Sequence, residues 1–313
     1  MTLHIDTPLI ASSAMGGKNG QTVWLKMEAM QPSGSFKLRG IGHACEEYAR
    51  RGAKRFISSS GGNAGLAAAW AGRSLGVPVV VVAPETTSER ARELMRREQA
   101  EVIVHGASFN EANALALSMV GEHDAFIHAF DDPLLWTGHA TMIDEVAHAG
   151  VIPDAVVLSV GGGGLLCGVI EGLRRNGWDK VPVIAVETDG TDSLAQSIEA
   201  GRRIELPRIA SIATSLGARQ VSQAAFDWTR VHPMSSMVVT DQAAVAACIR
   251  FMDDHRLVVE PACGASLAAL YAGHPELAGF RNLLVIVCGG VTATVAQLQA
   301  WERTLAASSS VQS

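Results

Sequence analysis

Short apolar segments alternate with long helical segments along most of this 313-residue chain. Eight segments have the composition of buried strands: residues 22–26, 55–58, 77–82, 101–104, 125–127, 155–160, 181–186 and 283–288. Helices are predicted at residues 38–51, 65–75, 88–98, 108–121, 165–175, 240–255, 261–272 and 291–305. Strands separated by long helices are typical of βαβ units, in which the strands run parallel. The sequence therefore predicts an α/β fold with mainly parallel sheets flanked by helices.

The composition excludes several classes of protein. Hydrophobic residues make up 48% of the chain, and 25 basic against 31 acidic residues give a net charge of −6. No basic run suggests a nucleic acid partner. The longest apolar run, residues 77–83, contains Pro78 and is too short to span a membrane, and residues 1–6 do not resemble a signal peptide.

The cysteines and histidines show no metal-site or disulfide pattern. The five cysteines are odd in number and widely spaced, with no Cys-x-x-Cys, which favours a soluble protein of the reducing cytoplasm. The ten histidines lack metal-ligand spacing, and His43, His139 and His148 are interpreted as packing or surface residues.

One lysine stands out because of its position. A Pro/Ser/Gly turn at residues 32–35 leads into Phe36 and Lys37, and a predicted helix follows. The helix dipole and desolvation by Phe36 and Leu38 would both lower the pKa of this amine. A neutral amine of this kind suits Schiff-base chemistry, although a solvated lysine at a helix start is the more common occurrence of the pattern.

Two glycine-rich turns follow predicted strands, at the edge where open α/β sheets bind ligands. Residues 58–65 contain Gly61, Gly62 and Asn63 and would form either a ligand-binding turn or a capped strand-to-helix turn. Residues 161–164 are four consecutive glycines before a helix, which favours a phosphate site. The turn is neither a Walker loop nor a dinucleotide fingerprint, because Leu166 or Cys167 stands where the last glycine belongs.

The third turn places Cys288 at the end of an apolar strand, before Gly289 and Gly290. A buried cysteine that acts as a small hydrophobic residue is the usual case. No His/Asp pairing along the sequence marks it as a nucleophile.

Together these motifs resemble the fold-type II pyridoxal-phosphate enzymes, which have a tryptophan synthase β-like fold. Within them the chain is most similar to the mammalian liver-type L-serine dehydratase (serine/threonine ammonia-lyase) family. The resemblance extends over nearly the whole chain and is carried by residues 32–43, 58–65, 130–134, 138–140, 158–168, 259–265 and 285–290.

The resemblance implies two domains, each with a mainly parallel sheet. Residues 38–133 would form the small domain, and residues 1–37 with 134–313 the large domain that binds pyridoxal 5'-phosphate. It also implies a homodimer.

The resemblance also assigns roles to single residues. Lys37 would hold the cofactor covalently and move the Cα proton, with Ser60 as a second catalytic residue. Phe36 would flank the cofactor ring, and Cys288 would face its pyridine nitrogen. The remaining positions are the phosphate-binding Gly161, Gly162, Gly163 and Gly164, and the substrate-binding Ser59, Ser60, Gly61, Asn63 and Phe130, of which Asn63 would also contact the cofactor's phenolic oxygen.

A monovalent cation, K+, is the last implied component. Its ligands would be the side chains of Glu187 and Ser193 with backbone carbonyls of Gly161, Thr191, Leu216 and Ala218. Oxygen ligands suit such an ion. The chain departs from the liver-type pattern at Gly61, where that enzyme has alanine, and at Ala218, where a larger aliphatic residue is usual.

The expected reaction is β-elimination of L-serine to pyruvate and ammonia, with L-threonine giving 2-oxobutanoate. A thiol at Cys288 has no strong charge to prolong the life of a carbanion, which favours elimination over racemisation. Serine racemisation and cysteine synthase-like β-replacement are the alternative reactions. A catalytically weak cofactor-binding regulator and a plain nucleotide-binding module are the alternatives from other classes.

Overall fold

The structure is a computed structural model that describes residues 2–16 and 20–311, with side chains described as far as residue 307. It contains ten named strands: β1 (Leu9–Ala11), β2 (Thr22–Lys26), β3 (Arg55–Ser58), β4 (Val79–Ala83), β5 (Glu101–Val104), β6 (Asp124–Ile127), β7 (Ala155–Ser159), β8 (Val183–Thr188), β9 (Met234–Val239) and β10 (Asn282–Ile286). The α-helices are α1 (Lys37–Arg50), α2 (Asn63–Leu75), α3 (Glu89–Arg97), α4 (Phe109–Ser118), α5 (Pro133–His148), α6 (Gly164–Arg175), α7 (Ser193–Ala200), α8 (Gln223–Trp228), α9 (Asp241–His255), α10 (Pro261–Tyr271) and α11 (Val295–Val311).

The strands form two sheets. The six-stranded sheet has the order β1-β2-β10-β7-β8-β9, and the four-stranded sheet has the order β5-β4-β3-β6. Within them β1 pairs with β2 in the antiparallel direction, and the other pairs are parallel. Every residue of β4, β7 and β8 is buried, which is expected of parallel strands covered by helices on both faces. Each sheet has its own hydrophobic core.

The predicted strands are all present, with boundaries shifted by up to two residues, but two further strands did not follow from the sequence pattern. β1 has only three residues. β9 is an edge strand whose apolar pattern is interrupted by Ser235 and Ser236. Helix α11 begins at Val295 instead of residue 291. The reason is a capping box, in which the N–H of Gln297 bonds to the Thr294 hydroxyl and the N–H of Thr294 bonds to the Gln297 side chain.

The ends of β2 and β10 bring the lysine segment and the cysteine turn together. Ser35 forms an isolated antiparallel bridge with Gly289, and the N–H of Phe36 donates to the carbonyl of Cys288 at 3.0 Å. The two motifs, about 250 residues apart in sequence, therefore share one backbone contact. Among the described helices, none has the length and apolar character needed to cross a membrane.

Candidate active site

The first turn of α1 carries Lys37 as its first helical residue. The preceding residue, Phe36, has helical backbone angles and gives no side-chain cap. A cap comes instead from α5, because the N–H of Gly40 donates to Nδ1 of the fully buried His139 at 3.1 Å. Burial lowers the pKa of His139 well below its usual range, so the imidazole is neutral. The structure places His139 in the core, 4.9 Å from the Phe36 ring, as a packing residue.

The amine of Lys37 lies among protein atoms, although the side chain as a whole is only half-buried. Its Nζ donates to the carbonyl of Ala129 at 2.6 Å and lies 5.1 Å from the centre of the Phe36 ring. Burial lowers the pKa of Lys37 to about 8, and the nearby Cys288 and Glu260 oppose this change without cancelling it. About one amine in ten is then neutral at pH 7.

The turn between β3 and α2 is held tightly by its own neighbours. Ser59 is buried and its hydroxyl donates to the Asn113 side chain on α4 at 2.7 Å, while Ser60 is half-buried and accepts from the N–H of Gly62. A methyl group on Gly61 would lie 2.0 Å from the hydroxyl oxygen of Thr87. The structure therefore leaves the Ser60 side chain half-buried within the turn and directs that of Ser59 towards α4.

Asn63 begins α2 and joins this turn to the other side of the site. Its Nδ2 donates to the Glu260 carboxylate at 2.7 Å and to the Ser215 hydroxyl at 3.4 Å, and its Oδ1 accepts from the N–H of Val291 at 3.3 Å. Both ends of the amide are thus oriented by residues from three other segments of the chain, at Ser215, Glu260 and Val291.

Glu260 is a site residue that the sequence reasoning missed. Its carboxylate is buried and also accepts a hydrogen bond from the Thr292 hydroxyl. Burial raises the pKa of Glu260, and its hydrogen bonds oppose that shift. The sequence offered one signal, a single acidic residue within the apolar stretch 257–262. Because a carboxylate is rarely buried without partners, such a residue indicates polar groups close to it in the fold.

Packing accounts for part of the tetraglycine turn. Methyl groups would meet the Leu216 backbone at Gly161, the Phe130 ring at 2.3 Å from Gly162, Ala225 at Gly163 and the Phe130 carbonyl at Gly164. Gly163 also has a φ of +95°, which favours glycine. No residue in the described part of the chain accepts a hydrogen bond from the four glycine N–H groups. These free donors at the start of α6 can bind an anion such as a phosphate.

Phe130 therefore packs directly against the tetraglycine turn. Its ring lies over Gly162 and edge-on to His128, with ring centres 4.7 Å apart, and its carbonyl accepts from the Trp136 indole at 2.9 Å. The adjoining Ala129 carbonyl is the one that accepts from Lys37. One short segment thus contacts both the lysine amine and the tetraglycine turn.

Cys288 is buried, with 7% of its surface exposed. Its thiol shares a hydrogen bond with Cys263, and this contact together with burial raises the pKa of Cys288 well above its usual range. The group is a neutral thiol at physiological pH, without the charge of an aspartate at the same place.

The residues expected to bind the cation lie in two groups, one of side chains and one mainly of backbone atoms. The buried Glu187 carboxylate accepts from the N–H groups of Leu194 and Ala195 at 2.9 and 2.7 Å, and burial raises its pKa to about 8. The hydroxyl of the adjacent buried Ser193 has no partner among the described residues.

The second group consists mainly of backbone atoms, at Gly161, Leu216 and Ala218. A methyl group on Gly161 would lie 3.2 Å from the Leu216 carbonyl oxygen, and the N–H of Ala218 donates to that carbonyl at 2.7 Å. Thr191 is buried and its hydroxyl bonds to Thr188. Three or more His, Cys, Asp or Glu side chains that could hold a metal ion do not cluster anywhere in the described ranges.

Comparison with known proteins identifies the family. Residues 1–289 match the family model described as pyridoxal-phosphate dependent enzyme. The chain belongs to this pyridoxal-phosphate dependent enzyme family. The family and the α/β fold class predicted from the sequence are thereby confirmed.

Individual members of the pyridoxal-phosphate dependent enzyme family are similar over nearly the full chain. The human protein named L-serine dehydratase/L-threonine deaminase is 45% identical, over 97% of this chain and 96% of that protein. A fungal L-serine ammonia-lyase from Rhizomucor miehei has a TM-score of 0.92 at 33% identity, covering 97% of this chain and 99% of that chain. Maize serine racemase has a TM-score of 0.83 at 25% identity, covering 96% and 93%.

The residues present fit the cofactor of this family. Four unpaired N–H groups at the start of α6 match a phosphate, and Lys37 offers an amine of lowered pKa for an aldehyde. Cys288 lies near the same lysine, since its carbonyl accepts from the N–H of Phe36, and Asn63 bonds to Val291 in the turn that follows Cys288. The arrangement can therefore accommodate both charged and reactive ends of pyridoxal phosphate.

Proposed function

We propose that this protein is an L-serine ammonia-lyase that also accepts L-threonine. The products are pyruvate and ammonia from L-serine, and 2-oxobutanoate and ammonia from L-threonine. The observation that carries the proposal is the backbone hydrogen bond from Phe36 to Cys288, which places Lys37, with its lowered pKa, near the neutral thiol of Cys288. The names and near-complete coverage of the human and fungal relatives support the same activity.

When bound, pyridoxal phosphate supplies the electron-withdrawing group that makes the Cα proton of an amino acid acidic. Lys37 would hold the cofactor through its amine and, once the substrate amine has replaced it there, would take the Cα proton, a role that suits an amine with a pKa of about 8. Gly161 to Gly164 donate their N–H groups to the phosphate, and Phe36 flanks the ring.

The turn at residues 58–65 holds the substrate carboxylate. Ser60, Asn63 and the backbone around Gly61 supply the hydrogen bonds, while the Ser59–Asn113 contact fixes the turn from behind. Phe130 closes the side of the site near the tetraglycine turn. Holding the substrate in this way raises the rate of proton transfer by orienting the Cα–H bond towards Lys37.

Cys288 favours elimination over racemisation in this proposal. A neutral thiol at Cys288 would add no negative charge near the ring nitrogen of the bound cofactor, which would favour loss of the β-hydroxyl as water over return of the proton to the opposite face of Cα. Racemisation remains the second candidate because the fold is shared with maize serine racemase. It predicts D-serine as a major product.

The proposal extends to the assembly and its surroundings. K+ would bind near Glu187 and Ser193, where a cation would favour the charged form of a carboxyl whose pKa is raised by burial, and where the Ser193 hydroxyl has no partner among the described residues. A small domain of residues 38–133 would be inserted into a large domain formed by residues 1–37 and 134–313. The enzyme would be a cytoplasmic homodimer, and the five buried free thiols are consistent with a reducing compartment.

The proposal is tested with the purified protein, pyridoxal phosphate and L-serine as the only amino acid. Pyruvate and ammonia should form in equal amounts, and borohydride should fix the cofactor to the peptide that contains Lys37. Lys37→Ala should lose both results, while the exposed Lys54→Ala serves as the matched control.

Other outcomes identify the rivals. A requirement for a second nucleophile would indicate β-replacement, and D-serine in excess over pyruvate would indicate racemisation. Cofactor fixed to Lys37 without turnover of any hydroxyamino acid would indicate a binding regulator. No cofactor binding at all would refute the assignment of the site.

A further inference from the structure

Four charged side chains are buried together behind the first turn of α1. Lys26, Glu28 and Arg39 have 1%, 0% and 0% of their side-chain surface exposed, and Glu145 has 15%. Two cations and two carboxylates make the cluster neutral overall. None of the four was assigned a role from the sequence.

Arg39 is the centre of this cluster. Its Nε and Nη2 bond to the two oxygens of Glu28 at 2.7 and 2.8 Å, and its Nη2 also bonds to Glu145 at 2.8 Å. Its Nη1 bonds to Glu145 and, at 2.9 Å, to the hydroxyl of Thr141 on α5. The guanidinium therefore forms bidentate hydrogen bonds with Glu28 on one edge and with Glu145 on the other. This geometry fixes its orientation as well as its position.

Lys26 completes the cluster from the end of β2. Its Nζ donates to the carbonyl and hydroxyl of Thr7 at 2.6 and 2.8 Å and to the Glu145 carboxylate. The cluster thus ties α1 to β2, to α5 and to the segment around Thr7. Apolar residues of similar size often stabilise a fold as well as a buried ion cluster does, so stability alone does not explain its presence.

The position of Arg39 relative to Lys37 supplies the explanation. Two residues along an α-helix correspond to a rotation of about 200°, so the two side chains leave α1 on opposite sides. The start of α1 has no side-chain cap of its own, and Gly40 is held by His139. Arg39 is the residue of this first turn that is anchored by charge on the side facing away from Lys37.

We propose that Arg39, held by Glu28 and Glu145, is a positioning residue that sets the rotation of the first turn of α1 and thereby aims Lys37. This inference rests on the proposed role of Lys37 as cofactor anchor and proton carrier. A displacement of about 1 Å at a catalytic group lowers rates by on the order of 10²-fold. Loss of the Arg39 hydrogen bonds to Glu28 and Glu145 therefore lowers the rate of the chemical step. Substrate affinity, set by the turn at residues 58–65, changes little.

The test uses Arg39→Lys, which keeps the charge and loses the planar, bidentate geometry, and Thr141→Val. The second change keeps the shape and removes the hydrogen bond to Arg39, together with the hydroxyl's contacts to the Gly138 carbonyl and His4. Arg55→Lys is the matched control, because Arg55 pairs with Asp124 through two bonds at the surface of the four-stranded sheet. Each protein is confirmed as folded by its melting curve, and all rates are measured well below the transition.

Two readouts are required. The first is the rate at which cofactor-free protein captures pyridoxal phosphate covalently, followed by absorbance and borohydride trapping. The second is the separation of kcat from KM with L-serine. We expect Arg39→Lys to lower both the capture rate and kcat by about tenfold or more, with KM within about threefold of wild type. Arg55→Lys should match wild type in both.

Capture rate and kcat within twofold of wild type in folded Arg39→Lys would overturn the proposal, because a purely structural role lowers only the melting temperature. If Arg39→Lys does not fold, Thr141→Val decides: a drop of about threefold or more in both rates supports positioning, and a smaller change overturns it. A wild-type protein that captures the cofactor but produces no pyruvate would refute the proposed reaction, whereas the capture rates would still report on Arg39.

Discussion

Replacing Gly61 with alanine tests how the turn at residues 58–65 is packed. A methyl group at this position would lie 2.0 Å from Oγ1, 2.8 Å from Cγ2 and 2.9 Å from Cβ of Thr87. Ordinary contact begins near 3.4 Å, so Thr87 or the turn must move by about 1.4 Å. The turn has little room to retreat, because the Ser60 carbonyl would lie only 1.9 Å from a methyl group on Gly65.

The movement therefore falls on Thr87, which precedes the Ser88 cap of α3. Overpacking of this kind costs about 1–3 kcal/mol, and we expect Gly61→Ala to lower the free energy of unfolding by about 1–2 kcal/mol. The melting temperature should fall by about 2 °C or more. Thr87→Ala removes the contacts at 2.0 and 2.8 Å, so the cost of Gly61→Ala should fall to less than half in that background.

A double-mutant cycle measures this coupling. Wild type, both single variants and the double variant are unfolded in denaturant, and the free energies are compared only where the slopes with denaturant agree. An equal cost of Gly61→Ala with and without the Thr87 side chain would refute the steric argument.

Three further predictions concern ionisation and reaction choice. In cofactor-free protein, covalent capture of pyridoxal phosphate should accelerate from pH 7 to pH 9 with a midpoint near 8, because burial lowers the pKa of Lys37 to about 8; a midpoint near 10.5 would contradict this. Burial raises the pKa of Glu187 from 4.5 to about 8, so its contribution to stability is present below pH 4.5 and is lost as the pH rises through 8. Added K+ should therefore raise the melting temperature more at pH 8 than at pH 5, and an equal response in Glu187→Gln would exclude this site. Cys288→Asp should increase the ratio of D-serine to pyruvate, measured by chiral chromatography with Cys263→Ser as the comparison; an unchanged ratio would exclude the thiol as the determinant.

The fold could be predicted largely because its signals are local. Strand β4 is a run of four valines and an alanine, and β7 and β8 are similarly apolar, so each is recognisable without its neighbours. β9 was missed because its two serines break the apolar pattern, and its place in the sheet depends on pairing with β8. Edge strands of this kind are stabilised by their partners more than by their own composition.

The candidate site was predictable only in part. The glycine turns and Lys37 are visible in sequence, but Glu260 contacts Asn63 across 197 residues and Arg39 contacts Glu145 across 106. A local sequence pattern does not indicate which buried charged side chains will contact each other when they are far apart in the chain. The tetraglycine turn shows a related limit, since the sequence indicated phosphate binding but not the close contact of Gly162 with Phe130.

The order of the six-stranded sheet has a consequence for how the protein is made. β2 ends at Lys26 and its central partner β10 begins at Asn282, so the ribosome adds about 256 residues between them, which takes roughly 13–50 s. The four-stranded sheet lies within residues 55–127 and can form early in that interval. The contacts of Ser35 with Gly289 and of Phe36 with Cys288 come last. In a nascent chain, the backbone contacts beside Lys37 therefore stay incomplete until residues 288–290 have been added.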